Sequence, residues 1–282
     1  MRTIVLLLAP GVAALSIGYL LPMVWVLRMS VNRGLPGGGI EQTVTAHSFV
    51  TVLGDRFYWD VALQTVRLGL VVAVLTVLVS YPVALFLVRT TSRYRGLLTA
   101  LAITPLLVSG VARTYGWMVV LGNQGLVNST LDTLGVIDRP IQLSNNFTGV
   151  VIALVQIFMP IAILAMVSGF GRLDRTVEQA AASLGANRWR VFTRVTLPLS
   201  LPGVTSAGLL VFVLAISAYV TPRLMGGGRV FVLATEIYDQ ATNTLNWPVA
   251  AALSLLLFAI FGVAIAGYQI VQRRVERRAS GR

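Results

Sequence analysis

Two arginines, Arg67 and Arg113, fall inside long apolar runs, where a central charge costs about 2.5–3.5 kcal/mol on insertion scales. A guanidinium there either lines an outer cavity or gate, or snorkels to the membrane interface, and both readings stand. Arg113 has Tyr115 and Trp117 beside it; Arg67 comes six residues into its run, and Arg113 sixteen residues into the next. Gln156 lies in a further apolar run, facing either a solute or another helix. Outside the runs, Glu236 and Asp239 stand three residues apart around Tyr238, on one face if the segment is helical. Such a face suits an ammonium group through ion pairing and cation–π attraction, while a solvated acidic loop touching another protein is the plainer reading. All of this is binding chemistry. There is no cysteine to supply a thiolate, the single histidine, His47, makes no cluster, and all 22 strongly basic residues are arginine. The sequence therefore offers no catalytic residue set and no metal site.

The elements that position these groups are membrane helices. Hydrophobic residues make up 56% of the 282 and charged residues 11%, where a soluble domain carries about 25% charged. Six segments reach the roughly 20 apolar residues needed to cross about 30 Å of hydrocarbon: Ile4 to Met29, Val61 to Val88, Leu97 to Leu121, Phe147 to Phe170, Leu201 to Met225 and Pro248 to Val271. The expected fold is all-α, a polytopic membrane bundle forming a single transmembrane domain over residues 1–282. The first run continues past Trp25, longer than a signal-peptide core, and reads as a retained helix. Pro82, Pro105 and Pro160 mark expected kinks within spans.

Of the formal charge of +12, four arginines, Arg28, Arg67, Arg113 and Arg223, fall in or at the edges of spans, and the rest is distributed by side. With six spans, fourteen arginines share the terminal side with Asp174, Glu178 and Glu276. The other side holds Arg33, Arg56, Arg139 and Arg229 against seven acids. The positive-inside rule then places both termini in the cytoplasm. The basic C-terminal run reads as a topology signal at a lipid membrane, with no nucleic acid partner.

The connection from Gly171 to Ser200 is the long cytoplasmic loop, and it is built for structure. Asp174 is an expected N-cap, Thr176 to Leu184 an alanine-rich helix, and Gly185 its left-handed C-cap. A second short helix runs through Trp189, Val191, Phe192 and Val195, before Pro198 and Pro202 lead into the fifth span. The smooth Ala180-Ala181-Ala182 surface suits either a groove of another protein or packing on its own bundle.

The run Gln179-Ala180-Ala181-Ala182-Ser183-Leu184-Gly185, followed by Val195-Thr196-Leu197-Pro198, resembles the EAA signature of ABC importer permeases. Further stretches narrow the resemblance to the first permease subunit of the spermidine/putrescine branch: Thr104-Pro105, Arg113-Thr114-Tyr115-Gly116-Trp117, Gly125-Leu126-Val127-Asn128, Leu197-Pro198-Leu199-Ser200-Leu201-Pro202-Gly203 and Asn246-Trp247-Pro248. The resemblance implies a type I permease whose cytoplasmic coupling helix docks on an ATPase through Glu178, Gln179, Ala180, Ala181, Gly185, Leu197 and Pro198. The family's usual glutamate position holds Gln179, so amide hydrogen bonds or the neighbouring Glu178 must replace it.

Without a lysine a phosphate-binding Walker A loop is impossible. The resemblance accordingly implies that ATP and its magnesium sit on two separate ATPase subunits, and that no cofactor belongs to this chain. It also implies a second, related permease, as a heterodimer rather than a homodimer, and an extracytoplasmic solute-binding protein. The implied cargo is a small charged organic solute, a polyamine first, with phosphonate, opine, thiamine or iron as alternatives. An ion-coupled secondary transporter would need intramembrane carboxylates, which the six runs lack.

Overall fold

The computed structural model describes residues 2–35, 37–173 and 175–279. The expected cap Asp174, and Arg282, lie outside the described residues. In chain order the helices are α1 (Arg2–Ser30), α2 (His47–Gly54), α3 (Arg56–Arg89), α4 (Arg95–Ile103), α5 (Gly110–Val120), α6 (Leu126–Thr133) and α7 (Phe147–Gly169). They continue as α8 (Arg175–Ser183), α9 (Arg188–Val191), α10 (Leu197–Ile216), α11 (Val220–Met225), α12 (Leu233–Thr242) and α13 (Trp247–Ala279). A two-residue antiparallel pair, Arg33–Gly34 with Ile40–Glu41, closes the turn after α1. The all-α membrane architecture expected from the apolar runs is present: among the described residues five helices are long and apolar enough to cross a membrane, six where the bent pair counts as one span.

Contacts divide the chain into two compact units. The first comprises Met1–Leu63 and Val232–Ile260. In it α2, the start of α3, α12 and the first half of α13 bury Val52, Val61, Val232, Leu233, Ala252 and Leu253. The Ser48 hydroxyl donates to the Asn32 carbonyl at 3.3 Å, tying α2 to the segment after α1.

The second unit, Gln64–Phe231 with Phe261–Arg282, is organised around α7. That helix is apolar all round, the pattern of a buried helix. Its start is capped by Asn146, whose side chain accepts the Gly149 N–H at 2.8 Å. Helices α4, α5, α10 and α11 all pack on α7. Helices α7 and α10 approach closely, and a Cβ added to Gly169 would stand 2.4 Å from the Gly203 Cα. The crossing is therefore possible only because both positions lack side chains.

Two expected spans are corrected. The third, Leu97 to Leu121, is not one helix: Arg95–Leu107 and Gly110–Val120 meet at 93°. Pro105 opens a tight 3₁₀ turn, Thr104–Leu107, and Val108 and Ser109 then leave helical geometry at ψ 133° and 137°. A proline alone kinks a helix; two extended residues turn it. The fifth, Leu201 to Met225, starts earlier and ends sooner, because Arg188–Ile216 is one helical run. A π turn at Phe192–Thr196 joins α9 to α10 and accommodates Pro198, which has no N–H to donate. The run stops at Ile216, and Pro222, unable to continue it, sits in the first turn of the separate α11.

Candidate functional site

Two groups of side chains belong to the second unit. The first is the connection from Gly171 to Ser200. Helix α8 ends as its sequence requires: Gly185 has φ +82°, its N–H donates to the Ala182 carbonyl at 3.0 Å, and the Ala186 N–H donates to the Ala181 carbonyl at 3.1 Å. These two bonds form a Schellman cap, which satisfies carbonyls that would otherwise face water unpaired. Leu184, 89% exposed, and Trp189, 72% exposed, project beside it. Asn187 starts the next helix by accepting the Arg190 N–H at 2.8 Å.

Within this connection the two candidate coupling side chains differ. Gln179 is exposed and so is Ala180, whereas Ala181 is half-buried. Glu178 turns inward: its carboxylate pairs with the Arg89 guanidinium at the end of α3 and accepts the Thr196 hydroxyl at 2.6 Å. These groups line a groove of about 260 Å³ with Ala182, Arg188 and Phe192. Leu197 and Pro198, the other expected coupling residues, lie on the first turn of α10 and are exposed.

The second group sits where α5 meets α7. Arg113 and Trp117, one turn apart on α5, both reach α7: Arg113 Nη1 donates to the Ile157 carbonyl at 3.1 Å, and Trp117 Nε1 to Gln156 Oε1 at 3.1 Å. Both acceptors lie in the turn before Pro160, where the ladder of α7 is missing an N–H. Arg113 Nε is buried without a partner, and no carboxylate among the described residues forms an ion pair with Arg113. Tyr115, on the same helix, is 53% exposed and makes no part of this contact. Arg67 lies elsewhere in the unit, with its guanidinium 5.2 Å from the centre of the Phe147 ring at the start of α7.

Gln156 thus meets another helix, the second of its two expected roles. Replacing it with leucine leaves the Trp117 N–H without an acceptor and is expected to cost about 1 kcal/mol, since membrane hydrogen bonds are modest. A lower unfolding temperature in nanodiscs measures this, and Trp117→Phe in the same background should recover part of the loss.

In the first unit, Glu236 and Asp239 are helical, on α12, but they are not a solvated loop. Glu236 is only 8% exposed and accepts the Gln240 amide at 2.9 Å, while Asp239 accepts the Asn243 amide. Each carboxylate thus accepts from an amide one turn along the same helix.

Sequence reasoning missed several participants. Arg89 counted only as a topology charge. Thr196 and Thr114 counted only as members of motifs and Thr221 was not singled out, yet Thr114 and Thr221 join α5 to α11 through hydroxyls 3.0 Å apart in a fully buried setting. Small hydroxyls in a membrane run are candidates for helix-to-helix bonds, a cue available in the composition alone.

A family model described as the inner membrane component of binding-protein-dependent transport systems matches residues 69–280. The chain belongs to this family. The permease is 30% identical over 241 residues to a spermidine/putrescine transport system permease protein, PotB, from Salmonella typhimurium, covering 86% of this chain and 84% of that one. Identity to PotB of Escherichia coli is also 30%, covering 85% and 86%. In fold, the permease is similar to a chain of a bacterial alginate ABC transporter in complex with an alginate-bound periplasmic protein, with a TM-score of 0.76 and 17% identity over 97% and 95% of the two chains. It is a non-catalytic, multi-pass inner-membrane permease subunit of an ABC importer, of the type I fold.

Proposed function

We propose that this permease is one half of the translocation pathway of an ATP-driven importer that delivers a polyamine, such as spermidine or putrescine, from an extracytoplasmic binding protein to the cytoplasm. The observation that carries this reading is the likeness to permeases named for spermidine and putrescine transport over most of both chains. Both termini are cytoplasmic in this reading, which puts α8 on the side where ATP is hydrolysed. The other half is a second, related permease, and two ATPase subunits bind ATP and its magnesium.

The capped helix α8, with Gln179 and Leu184 exposed and Trp189 of α9 exposed beside them, supports docking on such a subunit. Its firm join to the bundle supports the mechanism. Closure of the ATPase pair displaces α8, and the run from Arg188 to Ile216 carries that displacement into the membrane as one helix. Transport follows if the docked helix has different affinity for the two states of the bundle, because a partner with equal affinity shifts nothing.

A second reading concerns the cargo. Arg113 spends one donor on a carbonyl and leaves Nε unpaired, which favours a solute carrying an anionic group, such as a phosphonate, if the solute passes α5. Calorimetry on the cognate binding protein separates the two. Spermidine or putrescine binding is the expected result; binding of a phosphonate, opine, thiamine or iron in their place moves the assignment to that solute.

A further inference from the structure

Glu178 and Gln179 are adjacent on α8 but have opposite environments. The Gln179 side chain is on the exposed side, and the Glu178 side chain is 21% exposed and engaged by two elements at once. Arg89, the last residue of α3, supplies the cation, and Thr196, in the π turn before α10, supplies the hydroxyl. Arg89 Nη2 also donates to Thr196 Oγ1 at 3.1 Å, so the three side chains close a triangle across three helices. Eight residues before Arg89, Tyr81 fastens the same pair of elements again. Its hydroxyl lies 3.0 Å from Ser200 Oγ, and its ring meets Phe170 and Phe192 edge-on at 5.8 and 6.2 Å. The cytoplasmic end of α3 is therefore fastened to α10 twice, and Glu178 is the polar side chain that fastens α8 to both.

We infer that Glu178 is a positioning residue that links the movement of the coupling helix to α3 through Arg89 and to α10 through Thr196, leaving Gln179 as the side chain offered to the ATPase. This rests on the importer reading above. A partly exposed ion pair contributes modestly to static stability, because water still reaches both partners and salt screens them. Its consequence here is directional: when α8 is displaced, α3 and α10 must follow or the pair must break. Coupling between separate elements is worth 5–150-fold in typical cases, large enough to be read in transport.

The test uses the full complex in proteoliposomes, with both permeases, ATPase and binding protein. Glu178→Gln and Arg89→Gln are each expected to keep the ATPase bound through purification, while solute imported per ATP hydrolysed falls on the order of tenfold. The exchange Arg89→Glu with Glu178→Arg should restore most of that loss, which lost packing alone would not allow. Thr196→Val, which removes only the hydroxyl, provides a milder variant should either single charge change prevent folding, and it should show an intermediate loss. Release of the ATPase by Glu178→Gln but not by Arg89→Gln would overturn the inference, since Glu178 would then contact the ATPase itself. Unchanged coupling in all variants would overturn it too. Absence of ATP-dependent uptake in the wild-type complex would instead strike at the importer reading.

Discussion

Replacing Gly185 with valine is expected to abolish solute uptake and binding-protein-stimulated ATP hydrolysis while the permease still inserts and folds. At φ +82° this residue occupies left-handed space, which costs an L-residue about 1–2 kcal/mol and a β-branched one more. Nothing lies within 4 Å of an added Cβ, so the penalty is in the backbone and not in a clash. The chain relieves it by giving up the cap, and with it the bonds from Gly185 to Ala182 and from Ala186 to Ala181. The end of α8 then frays, and Leu184 loses its fixed direction. Asparagine tolerates this backbone conformation, so Gly185→Asn should keep most of the uptake. Normal transport by the valine variant would remove the coupling role from α8.

A larger effect on folding is expected at Gly169. A Cβ at this position would lie 2.4 Å from the Gly203 Cα, and one at Gly203 would lie 3.1 Å from the backbone of Gly169. No rotamer relieves a contact between a side chain and a backbone, so α7 and α10 must separate along the packed core. Overpacking usually costs about 1–3 kcal/mol, and this crossing stands at the upper end or beyond. Gly169→Val should therefore fail to give a monodisperse permease on size exclusion. Gly262→Ala, with nothing within 4 Å of its added Cβ, should behave as wild type.

These two glycines show how differently a sequence exposes its structure. Gly185 was legible because a cap is local: an alanine-rich helix stops at a glycine, and the signal and its consequence lie within three residues. The spans were legible for the same kind of reason, since each must satisfy its own backbone in lipid. The contact between Gly169 and Gly203 depends on where two helices cross, which no local pattern reports. The ion pair of Arg89 with Glu178 joins residues 89 positions apart, and Arg89 entered the sequence reading only as a charge for topology.

The third span failed differently. Pro105 announced a kink, but the 93° turn needed Val108 and Ser109 to adopt extended geometry, to which packing of α4 and α5 on α7 holds them. In the fifth, Pro198 looked like a loop residue because an ordinary helix rejects proline, and the π turn before it removes that objection. Of the candidate path residues, Gln156 and Arg113 stood out in the sequence because polar groups in lipid need partners, but only geometry could name those partners as Trp117 and the Ile157 carbonyl.

The most direct test of the central claim is uptake of labelled spermidine into proteoliposomes holding this permease, its partner permease and the ATPase, with binding protein added outside and ATP inside. Saturable accumulation that requires ATP and the binding protein, and that disappears in the Gly185→Val complex, is the predicted result. Accumulation by the permease alone under a proton gradient, with no response to ATP, would contradict it.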